Sequence, residues 1–523
     1  MTFPVLITTS GIGSRLGRYT EYTNKSLVGV GDKPIISRII ESYPAETQFI
    51  VTLGSHGSLV RQFLTLAYPH RNVNFVEVEP YHGPGSSLGL SLLSVRSQLQ
   101  CPFIFHAGDT IIDGETIPPP DSNWIGGYRG ADAAQYASFD ALGGNVIAMR
   151  DKGADSFDYI HIGLVGIHSY ESFWANLEEI YREDPEDPTL NDVSAIKGML
   201  ARDTPFTVKE FRRWLDVGSI SGLQAARLEY THELETLDKR DEAIFRIGDR
   251  VFKFLADKDL CADKVSRAAV LAPYVPPIVA QTDNWYAYNF VRGSVASRVI
   301  TPSLFDDLLA WGMEAFWARS SASIPEHLFQ DECNNFYIEK TRSRLRLFFE
   351  QSGLGDGDTV INGESVPSAA NLIQYVAKLD LSDPQQGIIH GDFILDNIVL
   401  SADGFIAIDW RQGFGRLQAV GDIYYDLAKL NHSLTMTHDL LNRGLFEVEV
   451  TRDSVHVDVL RKSILVECAK RLELFAAAYG FDTRRIRILT AVIWLNMAAL
   501  HPHPIDLLLF YFGKYSLWRA LND

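Results

Sequence analysis

"TTSGIGSRLGRYTEYTNKSL" (residues 8–27) follows a short apolar run, Val5-Leu6-Ile7. A strand that runs into a glycine-rich turn is a ready cradle for phosphate, because its backbone N–H groups can converge on an anion. A Walker-type loop needs Gly-Lys-Ser/Thr at its end; Gly13 is followed here by Ser14 and Arg15, and that reading fails. A dinucleotide fingerprint needs a third glycine, then an acid closing a second strand about 20 residues on. Leu16 stands in the third glycine's place, and Asp32 in "VGVGDKP" does not read as a strand end. A third reading keeps Ser10, Gly11 and Gly13 for close backbone approach to a triphosphate, with Arg15 and Lys25 as fixed cations. An ordinary tight turn stays open at this point, since isolated Gly-x-Gly pairs are common.

Outward from this loop, β-like runs alternate with helical patterns. "VLITT", "QFIVTLG", "VNFVEVE" and "PFIFHAGD" read as strands, and "PIISRIIESY" and "SLVRQFLTLAY" space apolar residues at helical intervals. That alternation predicts an α/β domain with a Rossmann-like, mostly parallel sheet and ligands beyond the carboxyl ends of its strands. "GETIPPPDSN" (114–123) and "REDPEDPTLND" (182–192) read as loops. The strongly charged stretch 227–243 reads as a domain boundary, which divides the chain into 1–230 and 240–523. Beyond it, "AIFRIGDRVFKFL" signals a hairpin at Gly-Asp. Helical patterns dominate after 291–297, broken by the turn-rich 351–368 and by a β pair, "NIVL" and "FIAID"; the tail from 453 reads as helices.

A chain of 523 residues exceeds the usual single core. Its 48 basic and 66 acidic residues give a net charge of −18, which argues against sequence-independent binding to nucleic acid or anionic membranes. The four cysteines, Cys101, Cys261, Cys333 and Cys468, form no Cys/His cluster, so neither zinc nor a disulfide framework is expected. No signal peptide is read at the start, and "ILTAVIWLNMAAL" (488–500) is too short to span a bilayer. A soluble cytoplasmic protein is the expectation.

If the loop holds a triphosphate, carboxylates near it must hold magnesium. Asp109, closing "FIFHAGD", and Asp216, in "RRWLDVGS", stand where strand ends would present them. Each could equally be a loop-capping aspartate. The combination resembles the sugar-phosphate nucleotidyltransferase family, whose loop reads G-x-G-x-R-[LM] and is followed by Pro-Lys. Here Gly11-Ile12-Gly13-Ser14-Arg15-Leu16 is followed by Asn24-Lys25, with asparagine in place of the proline. The resemblance, over roughly 1–230, implies that Asp109 in "AGD" and Asp216 in "WLDVGS" are the metal aspartates. It also implies that "YHGPGSSLGLSLL" (81–93), with Gly85 and Ser86 at its turn, covers nucleobase and ribose. A phosphorylated substrate would then attack the α-phosphorus of an NTP without a general base, by positioning and charge neutralisation from Mg²⁺, Arg15 and Lys25. His56, His82, His106 and His161 are read as structural or substrate-contacting.

"GIIHGDFILDNIVLSADGFIAIDW" (387–410) is the most specific stretch in the chain. Asp392 follows His390-Gly391, Asn397 stands five residues on, and Asp409 ends a β run after a hairpin that would bring the two together. In phosphotransferases of the kinase fold such an aspartate accepts the proton of the attacking hydroxyl, and the asparagine and second aspartate hold Mg²⁺. The stretch resembles the aminoglycoside phosphotransferase and choline kinase superfamily, which implies an α+β kinase-like domain with a large helical lobe over 240–523. "GDIYYDLAKL" (421–430) resembles the family's next segment, with Asp422 and Asp426 read as structural. Lys253 in "RVFKF" occupies the position of the phosphate-binding lysine. The family's helical glutamate partner is not evident in "ADKVSRAAVL", where Ser266 and Arg267 stand near the expected position; Asp263 or another acid is the candidate substitute.

Together the resemblances imply a bifunctional enzyme. ATP would phosphorylate a small alcohol or sugar, and an NTP, CTP or UTP favoured, would then be transferred to the resulting phosphorylated sugar, polyol or amino-alcohol. Such fusions resemble those that make capsule or lipopolysaccharide precursors. The alternative is an active nucleotidyltransferase with a non-catalytic kinase-like domain. The nucleobase, the acceptor, channelling and oligomeric state are not legible.

Overall fold

The computed structural model describes residues 3–130, 133–230, 240–319, 323–379 and 385–523. Packing divides the chain into two units, Met1–Cys261 with Val279–Tyr288, and Ala262–Ile278 with Asn289–Asp523.

The first unit is built on a nine-stranded sheet. The strand Pro4–Thr8 lies between Gln48–Leu53 and Phe103–Ala107, parallel to both, and Asn72–Glu77 extends the parallel set. All five residues of Pro4–Thr8 are buried, as a strand covered on both faces requires. Their side chains divide by alternation: Val5 and Ile7 enter one core, and Leu6 enters the other with Phe103 and Phe105. The expected parallel arrangement holds for these four strands. Beyond Phe103–Ala107 the sheet is mixed: Tyr159–Ile167 pairs antiparallel with it and with Trp124–Tyr128, which in turn pairs parallel with Thr207–Glu210. The helices Ile35–Glu41 and Gly57–Ala67 arise where the apolar spacing predicts them.

Strands Glu242–Ile247, Arg250–Leu255, Trp285–Asn289 and Ile278–Gln281 form a four-stranded sheet. Phe245, Phe252, Phe254, Trp285 and Ala287 share a core with Val5, Ile36 and Phe63. The Phe63 ring lies 4.9 Å from Trp285 and 6.0 Å from Phe245 and Phe252. These strands therefore pack with the first unit, although the charge change at 227–243 suggests a division ahead of them; 231–239 lie outside the described residues. A chain begun at residue 240 would leave Phe245, Phe252 and Trp285 without that core, at about 1.5–3 kcal/mol each. It is expected to be insoluble or to lack a cooperative melt, and a soluble 240–523 fragment with a sharp calorimetric transition would refute this packing.

The second unit is mainly helical, with Ile423–Thr435, Ser463–Ala478, Thr483–Ala498 and Ile505–Asn522 among its longer helices. The predicted hairpin is present as Ile398–Ser401 and Gly404–Ala407, joined on one side by Ser294–Val295. The all-helical reading of the tail needs correction. Val455–Val459 is a strand paired with Phe446–Val450, in a sheet with Thr359–Ile361 and Glu364–Val366. Alternation carried the signal: Val455 and Val457 are buried while His456 and Asp458 are exposed. Within 351–368, Asn362 and Gly363 both have positive φ, 49° and 84°, the Asn-Gly hairpin geometry. No helix among the described residues is long and apolar enough to cross a membrane.

Candidate functional site

In the first unit the loop after Thr8 is shaped by Gly13, whose φ is +66°; a β-carbon there would lie 2.9 Å from Lys25 Cβ. Gly11 has nothing within 4 Å of that position, so packing does not require its glycine. Asn24, 1 % exposed, fixes the segment that carries Lys25. Its Nδ2 donates to Thr9 O (2.8 Å) and Ser55 O (2.7 Å), and its Oδ1 accepts from the backbone N and the hydroxyl of Ser26 (2.9 and 2.7 Å). Hydrogen bonds here supply the stiffness that the resemblance assigns to a proline. The Ser10 hydroxyl bonds to Ser91 Oγ (2.7 Å), tying the loop to the helix Leu88–Leu93.

Lys25 Nζ lies 3.0 Å from Asp109 Oδ2, and Arg15 Nη2 lies 3.7 Å from the same oxygen. The short ladder between Thr110–Ile112 and Trp214–Asp216 sets Asp216 opposite Thr110, and Val217 N donates to Asp109 O (3.0 Å). A β-carbon on Gly218 would lie 2.8 Å from Asp109 Oδ2, 3.0 Å from Arg15 Nη2 and 3.1 Å from Asp216 Oδ1. Both carboxylates and one cation thus converge on a single point that only glycine leaves open. Asp216 accepts from Tyr136 Oη (2.7 Å) and Gly218 N (3.0 Å). Burial works to raise the Asp109 carboxyl, but Lys25 and Arg15 outweigh it and hold it below the usual range. Arg15, Lys25, Asp109 and Asp216 are brought together. Gly85 (φ +81°) and the Ser86 hydroxyl, which donates to Gly83 O (2.7 Å), shape the turn ahead of Leu88–Leu93. Among the described residues no hydrogen bond or ion pair joins those two to the Asp109 group. Tyr136 lies in "ADAAQYASF", which has no motif that could have found it.

Two histidines resolve into different settings. His106 bonds to Tyr43 Oη (2.8 Å) and Thr110 O (2.9 Å), and burial pushes it down to about 4, as befits a structural residue. His161 Nε2 meets Asp192 Oδ2 at 2.7 Å, with both side chains buried.

In the second unit Asp392, Asn397 and Asp409 lie around the hairpin. Asn397 Nδ2 donates to Asp392 O (3.0 Å) and Oδ2 (2.9 Å), and Ile408 N donates to Asn397 O (2.8 Å). Asp409 has φ +56°, a left-handed conformation that aspartate tolerates better than most residues. Lys429 Nζ pairs with Asp392 Oδ1 at 2.7 Å. Burial would raise Asp392, but Lys429 outweighs it, and the carboxyl stays below its ordinary range. Asp426 supports the turn from beneath, accepting from His390 N (2.7 Å), Gly391 N (2.7 Å) and Trp317 Nε1 (3.2 Å). Burial raises it to about 6 against those three donors. Asp426 is structural, as the sequence reading has it, while Lys429 escaped that reading although it stands three residues on along the same face of Ile423–Thr435.

Lys253 lies buried on Arg250–Leu255, with the first unit. In the following helix, Lys258–Leu271, Asp263 accepts from Gln418 Nε2 and Arg267 Nη2 donates to Ile389 O (2.6 Å). Lys264 Nζ donates to Trp410 O (3.0 Å) and lies 3.5 Å from Asp409 Oδ1. Among the described residues no three His, Cys, Asp or Glu side chains form a metal cage. A carboxylate pair in one unit and a carboxylate with an amide in the other fit an ion that completes its shell with phosphate oxygens and water, as Mg²⁺ does.

Residues 249–489, which include His390–Asp409, match the model of the phosphotransferase enzyme family (APH). This phosphotransferase domain begins within the strands that pack with the first unit. Among solved structures the chain is similar to the CTP:phosphocholine cytidylyltransferase of Streptococcus pneumoniae (16% identity, TM-score 0.38, 44% of this chain and 100% of that one). It is also similar to a UDP-glucose pyrophosphorylase of Acinetobacter baumannii (17%, 0.37, 45% and 96%). A third is the inositol-1-phosphate CTP transferase of T. maritima (12%, 0.36, 45% and 98%). No curated protein matches the chain.

Proposed function

We propose that the chain is a bifunctional cytoplasmic enzyme that makes an activated precursor for surface polysaccharide or lipid. The phosphotransferase domain phosphorylates a small alcohol or sugar with ATP. The first unit transfers a nucleotidyl group from an NTP, CTP or UTP favoured, to the new phosphate. The observation that carries the second step is the convergence of Arg15, Asp109 and Asp216 at Gly218, with Lys25 on Asp109. An oxygen of the acceptor phosphate attacks the α-phosphorus, the bond to the β-phosphate oxygen breaks, and pyrophosphate leaves. The attacking oxygen is already ionised, so no base is required. Arg15 and Lys25 neutralise the triphosphate, and Asp109 and Asp216 are the residues that would hold Mg²⁺, which when bound adds further charge neutralisation on the phosphates. In the other unit Asp392 accepts the proton of the attacking hydroxyl as its oxygen bonds the γ-phosphorus and ADP departs. Asn397 and Asp409 would hold the ion.

Pyrophosphate release from CTP, UTP, GTP, ATP and dTTP, each with a pool of phosphorylated sugars, polyols and amino-alcohols, tests this. Release with CTP or UTP is the expected result, and silence with all five together with no NTP binding would refute it. Asn24→Ala removes the donor from the buried Thr9 carbonyl, at about 1–3 kcal/mol, and from the half-buried Ser55 carbonyl, at less. Both a lower melting temperature and a KM for the NTP raised about tenfold are expected in that assay, since Lys25 loses its anchored segment.

The second reading, a phosphotransferase domain that only binds, is favoured by Lys264. It stands on the helix where the glutamate was expected and faces Asp409 instead. ATP turnover in the presence of alcohols separates the two readings.

A further inference from the structure

Four cations of the second unit, Lys340, Arg344, Arg411 and Lys429, lie within reach of one another's charge, and Lys429 pairs with Asp392. Lys340 Nζ lies 4.5 Å from the centre of the Phe336 ring and Arg411 Cζ lies 5.2 Å from it. Lys340 and Arg411 are therefore within roughly one Debye length of each other (about 10 Å). Lys340 also feels Arg344 and Lys429, and Lys429 feels Arg411. Lys429 is paired with Asp392. Among the described residues no carboxylate lies within ion-pair distance of Lys340, Arg344 or Arg411, and the buried Arg411 Nε has no hydrogen-bond partner.

The neighbouring acids are engaged elsewhere. Glu332 pairs with Arg416, Glu339 with Arg342 and Asp422 with Arg485, while Asp426 accepts from the backbone of the His390 turn. Half-buried cations without counter-charges cost free energy, and burial together with Arg411, Arg344 and Lys429 pushes Lys340 down to about 7. A bound anion would offset that cost. Phe336 lies in the π-helical turn Asn335–Glu339, a local irregularity common at functional sites.

The cluster is joined to the Asp392 end of the site. Arg411 N donates to His390 O (3.1 Å), and a β-carbon on Gly391 would lie 2.6 Å from Arg411 Cβ. The cation at Asp409 is Lys264, which belongs to a different element.

We infer that the acceptor alcohol itself carries an anionic group, a carboxylate or a phosphate ester, held by Lys340 and Arg411 while Lys429 keeps Asp392 oriented. This rests on the phosphotransfer reading and narrows its acceptor class, away from cationic amino-alcohols such as choline.

The test uses the full chain, ATP and a matched set of alcohols: glycerol, glycerate, glycerol 3-phosphate and choline. ATP hydrolysis without acceptor reports whether the phosphotransferase site is alive. An anionic member should exceed glycerol in kcat/KM by about tenfold or more, and glycerate against glycerol 3-phosphate tells carboxylate from phosphate. Lys340→Met and Arg411→Gln should each cut that preference about tenfold without raising the KM for ATP. Preference for glycerol or choline, or variants that weaken ATP instead, would overturn the inference.

If no alcohol is phosphorylated, inorganic phosphate is titrated calorimetrically with saturating ADP in an Arg15→Ala, Lys25→Ala background. Binding weakened about tenfold by Lys340→Met supports the inference, and no binding or no change overturns it. Absent hydrolysis with intact phosphate binding would instead be a failure of the phosphotransfer reading alone.

Discussion

Asp392→Asn is expected to lower phosphate transfer from ATP to an alcohol by about 10²–10⁴-fold, the range a positioned general base contributes. The substitution keeps the shape of the side chain and an oxygen that Asn397 Nδ2 can still reach, but it removes the negative charge that receives the proton. It also removes the partner of Lys429, whose ammonium lies 2.7 Å from the carboxylate. A loss of folding must therefore be separated from a loss of chemistry. Melting temperature and ATP binding provide the control, because neither depends on proton transfer. A variant that binds ATP as tightly as the parent, melts within a few degrees of it and still loses kcat locates the defect in the base. Equal kcat in the two proteins would remove Asp392 from the chemistry, and no transfer by either would leave the domain as a binding module, the role favoured by Lys264.

Asp216→Asn is expected to lower pyrophosphate release by about 10²–10³-fold, the scale of removing one preorganised charge from a developing phosphoryl transition state. Asparagine keeps one of the two acceptor oxygens, for Gly218 N, and its amide can donate to the Tyr136 oxygen in place of the other bond, so the loop around Gly218 keeps support. Asp109→Asn should be at least as damaging, since it also strips the counter-charge from Lys25 and Arg15. Tyr136→Phe removes the hydrogen bond to Asp216 and leaves both carboxylates in place, so it should lie well above both. Measuring kcat and KM for the NTP in the three variants checks the order. Retention of full pyrophosphate release in Asp216→Asn would remove this residue from the site.

The parts of both sites legible in the sequence were those fixed by local chain geometry. A strand end followed by Gly-x-Gly, and His-Gly-Asp five residues before an asparagine and a short hairpin, each present their side chains within one supersecondary unit. Lys25 and Asp109, by contrast, are 84 residues apart, and their 3.0 Å pairing depends on the parallel register of three strands. Tyr136 reaches Asp216 across 80 residues from a segment without a pattern. Asn24 illustrates a residue whose type was legible and whose role was not: its four hydrogen bonds involve Thr9, Ser26 and Ser55. The strands Phe446–Val450 and Val455–Val459 were missed although their alternation was visible, because they sit in a region dominated by helical periodicity.

The sequence by itself determined that an α/β fold with a glycine-rich loop after its first strand is joined to a kinase-like domain, since spacing, alternation and turn chemistry are local properties that survive without knowledge of neighbours. Only the tertiary structure decided where the packing units divide, because Phe245, Phe252 and Trp285 look equally apolar whichever core takes them, and Phe63 takes them here. It also decided that Lys340, Arg344 and Arg411 gather around Lys429, the partner of Asp392, with no ion-paired acid of their own among the described residues. Charge balance in a site is a sum over side chains drawn together from 340 to 429, and no linear window contains it.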